Sequence, residues 1–163
     1  MTRRYYCLAG LLFSMLWIIS AANAQDSTLT KASLSTHTND NDKDWNTCVN
    51  VEVKTANGDM IAHAYGRDCN NADGTQYKDG SDHGFDLEID SPGLGRNYAK
   101  GFTVHMWQQT NGGAGHDKWA FNVRVTLLFS NGAPALTASR DNVELESHGT
   151  NEKPSVDFAN GDK

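Results

Sequence analysis

The chain has 163 residues, of which 38% are hydrophobic, with 14 basic against 20 acidic side chains and a formal net charge of −6. That length makes one domain with a real core, so it excludes the class of miniature scaffolds that depend on disulfides. The acidic balance argues against nucleic acid as a partner, and against anionic membrane unless calcium reverses the local sign.

Residues 1–24 have the form of a signal peptide. Arg3 and Arg4 precede an apolar stretch from Leu8 to Ile19, and Ala22-Asn23-Ala24 is a small-x-small cleavage site. The apolar run is too short, and too abruptly followed by polar sequence, to span a bilayer. The mature chain is therefore expected to begin at Gln25 and to be secreted or periplasmic. Losing two arginines and no acids takes its net charge to −8. Cys7 lies ahead of the apolar stretch and is lost with it, so lipidation is not expected. Cys48 and Cys69 remain, and an even pair in an oxidising compartment reads as one disulfide. No Asn-x-Ser/Thr sequon occurs.

Residues 25–44 are rich in Ser, Thr, Asn and Asp, nearly free of large apolar groups, and read as a flexible polar arm. Asp40-Asn41-Asp42-Lys43-Asp44 begins like an EF-hand loop, but Trp45 stands where the turn needs Gly and Val51 where the bidentate Glu belongs.

From 45 to 147 the hydrophobic period is two. Val49, Val51 and Val53 alternate with polar residues. So do Phe85, Leu87 and Ile89; Phe102, Val104 and Met106; Trp119 through Phe129; and Val143 with Leu145. This is the pattern of strands with one buried and one wet face. Asn57-Gly58 and Asn131-Gly132 sit between such runs and mark hairpins. Pairing about the first puts residue 48 opposite residue 67, so a Cys48–Cys69 bridge would clip the open end of that hairpin. Asp86, Glu88 and Asp90 would repel a second copy of their strand, which suits a sheet edge. The fold class is all-β, a single antiparallel β-sandwich of about six to eight strands. Residues 148–163 read as a flexible tail, with Val156 and Phe158 as a possible last strand.

The acidic segment between residues 68 and 90 supplies hard oxygen ligands. Asp68, Asp73, Asp79 and Asp82, with Asn70 and Asn71, are the candidate calcium set, against the plainer reading of a solvated loop. If Phe102, Val104 and Met106 face inward, His105 and Trp107 face out, and an outward Trp beside polar neighbours is a platform for a sugar ring or a lipid interface. The histidines lack metal-ligand spacing. His63, His83, His105 and His116 read as isolated surface residues. No Gly-x-Ser-x-Gly elbow occurs, and Gly93-Leu94-Gly95 lacks the third glycine of a dinucleotide loop. Asn111-Gly112-Gly113-Ala114-Gly115 reads as a mobile loop.

Phe102 to Val125 runs FTVHMWQQTNGGAGHDKWAFNVRV. An apolar strand, a Gly-rich loop and Asp-x-Trp opening a strand of alternating valines resembles the corresponding stretch of PLAT (lipoxygenase-homology) domains. The resemblance implies a β-sandwich with Trp119 where the two sheets meet. It also implies a non-catalytic module that binds lipid surfaces or proteins, sometimes with calcium in its edge loops. The function expected is thus recognition of a carbohydrate, a lipid surface or an envelope protein, with Trp107 and His105 as ligand-binding residues. The alternatives are a polysaccharide hydrolase using paired carboxylates among Asp82, Asp86 and Glu88, and a structural or stress-associated envelope protein.

Overall fold

Two-residue alternation makes strands, and the chain is built almost wholly of them. In the computed structural model, which describes residues 27–69, 76–110, 117–147 and 155–160, the order is β1 (Leu29–Asp40), β2 (Thr47–Lys54), β3 (Met60–Arg67), β4 (Asp82–Asp86), β5 (Glu88–Ile89), a single helical turn α1 (Arg96–Ala99), β6 (Thr103–Thr110), β7 (Asp117–Phe129), β8 (Leu136–Ser147) and β9 (Ser155–Ala159). The strands form two antiparallel sheets, β4-β1-β7-β8 and β5-β3-β2-β6-β9. Their inner faces meet over one core, where Val49, Val51, Val53, Phe102, Val104 and Met106 oppose Leu34, Trp119, Phe121, Val125 and Leu127. No helix among the described residues is long and apolar enough to cross a membrane.

The count of nine described strands exceeds the six to eight expected. One addition comes from the segment read as an arm. β1 is an interior strand, paired with β4 on one side and β7 on the other. Its inward positions are Leu29, Ala32, Leu34, Thr36 and Thr38. Two of these are threonines, whose branched Cβ fits a pleated surface although the hydroxyl hides them from a hydrophobicity count. The other addition is β9 in the C-terminal tail, where Phe158 is buried against β6. The acidic run 85–90, read as one strand, is divided at Leu87. Asp86 ends an edge strand of one sheet and Glu88 begins an edge strand of the other. Edge placement of these acids holds in both sheets.

The hairpins differ in chemistry. At Asn131-Gly132 both residues have positive φ (59° and 66°), as a two-residue turn matched to sheet twist requires. At Asn57-Gly58 only the glycine does (92°). There the Gly58 amide bonds the Thr55 carbonyl at 2.9 Å and the Thr55 amide bonds the Asp59 carbonyl at 2.9 Å, a type I turn closed by a left-handed glycine. The central rungs keep the expected register, with Val51 opposite Ala64 and Val53 opposite Ala62. A bulge then intervenes. Gly66 (φ 60°) takes the extra residue, its amide held 2.8 Å from Asn50 Oδ1, and Arg67 comes opposite Val49. The slip carries Cys69 toward Cys48, and the two are bonded with Cα atoms 4.5 Å apart. The bridge closes a loop of 21 residues, so its reduction is expected to cost about 3 kcal/mol and lower the melting temperature by roughly 10 °C. Melts with and without reductant check this; coincident melts would show that the bridge holds nothing the hairpin does not.

Candidate binding face

The outer face of the five-stranded sheet carries two rows of side chains. In the first, cross-strand pairing sets Glu88 beside His63, His63 beside Glu52, Glu52 beside His105, and His105 beside Asp157. Carboxylate and imidazole alternate across all five strands. The second row sets Trp107 opposite Asn50, with Tyr65 at the bulge on its other side. Four rings therefore gather around Glu52: Trp107 lies 6.0 Å from Tyr65 and 5.0 Å from His105, and Tyr65 lies 4.6 Å from His63.

The rings are held in place. Glu52 accepts from Lys54 Nζ at 2.7 Å and from the Tyr65 hydroxyl at 2.8 Å. These bonds, Lys54 first, hold its carboxyl below the usual range, and in return the Tyr65 phenol is pushed up. His105 Nδ1 is 2.7 Å from Asp157 Oδ1, and His63 Nδ1 is 2.7 Å from Asp90 Oδ2. Trp107 is half-buried and Tyr65 is 50% exposed, so both keep a face for solvent. The inward register of Phe102, Val104 and Met106 is as expected, and with it the outward register of His105 and Trp107. Beyond Tyr65 the shelf ends in a concavity of about 320 Å³ lined by His63, Tyr65, Arg67, Asp86 and Glu88.

That concavity brings together two of the carboxylates of the hydrolase alternative, Asp86 and Glu88. A general acid at neutral pH needs a carboxyl taken out of water. These side chains are 68% and 79% exposed, and Asp86 is bonded to Lys31 at 2.9 Å. The third, Asp82, stands at the opposite end of β4 from Asp86, against His37 Nδ1 at 2.8 Å. The histidines are thus not isolated as expected. Three pair with carboxylates, and His83 stacks on Tyr77 with centroids 3.7 Å apart. His116 lies outside the described residues.

The acidic end of the sandwich is organised by a lysine. Lys43 is fully buried, and its Nζ donates to the carbonyls of Asp44, Thr47 and Asp68 at 2.9, 2.7 and 2.8 Å, 4.7 Å from the Tyr77 ring centre. Burial lowers its pKa to about 8, against the pull of Asp117, Asp68 and Asp44. Asp117, itself buried, receives the Asp44 amide at 3.2 Å, and burial pushes its carboxyl up.

The three described members of the calcium set, Asp68, Asp79 and Asp82, form no common site among the described residues. The Asp68 carboxylate accepts from the Tyr77 hydroxyl, the Asp79 amide bonds Asp42 Oδ1 at 2.8 Å, and Asp82 belongs to His37. Asp73, with Asn70 and Asn71, lies outside the described residues. Among the described residues no group of three or more His, Cys, Asp or Glu side chains is placed to hold a metal ion.

Alternation along β6 puts Trp107 and His105 on this face, and it did not single out Tyr65, His63 and Glu52 as their neighbours. The signal was present, because Glu52 sits between Val51 and Val53, and His63 and Tyr65 alternate with Ala62 and Ala64. Only the pairing of β3 and β6 on either side of β2 shows that they share one face. The sequence matches no protein-family model and no curated protein.

Proposed function

We propose that this chain is an exported, non-catalytic module that recognises carbohydrate through the outer face of its five-stranded sheet. The observation that carries the reading is the ring shelf of Trp107 and Tyr65, fixed around Glu52 and opening onto a concavity. Sugar rings stack their C–H faces on such aromatics, and the carboxylates and imidazoles of the adjacent row accept from and donate to the hydroxyls. The four carboxylates of that face, Glu52, Glu88, Asp90 and Asp157, favour a glycan over an anionic lipid surface. The lipid or protein partner implied by the PLAT resemblance stands second, supported by Trp119 in the core between the sheets. Export rests on the form of residues 1–24.

Affinity electrophoresis through a panel of neutral polysaccharides tests the reading. Retardation of the wild-type chain by at least one of them is expected. Trp107→Ala should weaken it by about tenfold or more and Tyr65→Ala by less, with both variants still folded. A wild-type chain retarded by none, or a Trp107→Ala variant retarded equally, would overturn it.

A further inference from the structure

The outer face of the four-stranded sheet holds a second basin, of about 340 Å³. Its floor is a cross-strand triplet. Ser35 of β1 is paired with Arg124 of β7, and Arg124 with Ser139 of β8. Directly opposed residues have Cβ atoms about 5 Å apart, so two serines flank the base of the Arg124 side chain and both line the basin with it. Arg124 is exposed, and no side chain among the described residues forms a hydrogen bond or ion pair with it. In an acidic protein, an arginine beside two serines and with no carboxylate partner among the described residues offers its donors to a ligand.

The rim has the opposite character. Asp141 is carried to one end by a bulge in β8, where Asn142 (φ 54°) takes the extra residue and its amide bonds Asn122 Oδ1 at 2.9 Å. At the other end Asp82 is bonded to His37 Nδ1. A guanidinium fork with neighbouring hydroxyls fits a carboxylate. Carboxylates at both ends repel a compact dianion and accept from hydroxyl groups.

We infer that this basin binds a small hydroxylated carboxylate of the uronic-acid type. The carboxylate sits on Arg124 between Ser35 and Ser139, and the hydroxyls of the ligand donate to Asp82 and Asp141. The volume is at the lower end of the range for small-ligand pockets and suits a single sugar acid. The site lies on the sheet opposite Trp107 and does not depend on the glycan reading of that face.

The test is titration of the isotope-labelled, oxidised chain with sodium galacturonate, glucose and sodium sulfate, followed by amide shifts. Galacturonate should give saturable shifts centred on Ser35, Arg124 and Ser139, with a dissociation constant on the order of millimolar. Arg124→Gln should weaken it about tenfold and Arg124→Lys less. Arg124 is exposed, so the variants should keep their fold, which a melt verifies. Equal response to glucose or to sulfate would overturn the assignment. So would an unchanged affinity in Arg124→Gln, or no saturation below about 50 mM galacturonate.

Discussion

Replacing Lys43 with Met is expected to destabilise the chain by about 3–5 kcal/mol, because the ammonium is the common partner of three backbone carbonyls and has no access to water. The methionine fills similar volume, so the loss is one of hydrogen bonds and charge. Three carbonyls lose the ammonium, of which the Asp44 carbonyl keeps the Thr47 amide at 3.1 Å, and buried Asp117 loses a cation that offsets its burial. Lys43→Met combined with Asp117→Asn should therefore cost less than the sum of the single changes.

The pH dependence has a definite sign. The folded pKa is lowered to about 8, below that of an unfolded lysine near 10.4. Between those values the unfolded chain binds more protons, so the Lys43 contribution makes stability rise with pH, by at most about 1.4 kcal/mol per unit. Urea denaturation at pH 7, 8, 9 and 10 should show this component in the wild type and its absence in Lys43→Met. A variant within about 1 kcal/mol of wild type, or with the same slope above pH 8, would show that the ammonium does not organise this end of the sandwich.

This lysine also shows where sequence reasoning stops. The run Asp40 to Asp44 looked like a failed calcium loop in a flexible polar arm, and nothing in it marks Lys43 for burial. The structure makes that lysine the cation on which the acidic segments converge, a role set by the long-range bridge of Lys43 to Tyr77, 34 residues apart in sequence. The core, by contrast, was legible. Val49 to Val53, Phe102 to Met106 and Trp119 to Phe129 show their inward faces by alternation alone, because burial on one side of a strand is a local constraint. β1 escaped because its core side uses threonine where the other strands use valine. The division at Leu87 escaped because alternation continues unbroken from one sheet to the next. The binding face was half legible. Alternation placed His105 and Trp107 outward, but no local pattern says that β3 and β6 flank β2, and that adjacency is what makes a shelf of Tyr65 and Trp107.

The two tryptophans of β6 and β7 should separate fold from recognition. Trp119→Ala is expected to cost about 3–5 kcal/mol, in the range for truncating a fully buried indole. Its ring is stacked on Phe121 with centroids 3.7 Å apart and stands edge-on to Tyr77 at 5.5 Å. Its Nε1 donates to Thr38 Oγ1 at 3.1 Å. Truncation leaves a void between the sheets and strands that buried hydroxyl of β1 without its donor. Trp119→Phe keeps the stack and should lose roughly half as much. Trp107→Ala removes a ring that already keeps one face in water, so its effect on stability should stay within about 1 kcal/mol. Denaturation midpoints of the three variants, set beside their retention by polysaccharide, give the comparison. The expected pattern is a destabilised Trp119→Ala and a stable Trp107→Ala whose binding is weakened by about tenfold or more. Were Trp107→Ala to fall as far as Trp119→Ala, the indole would be a cover for Asn50, whose Nδ2 is buried with no partner among the described residues, and the shelf would be part of the packing.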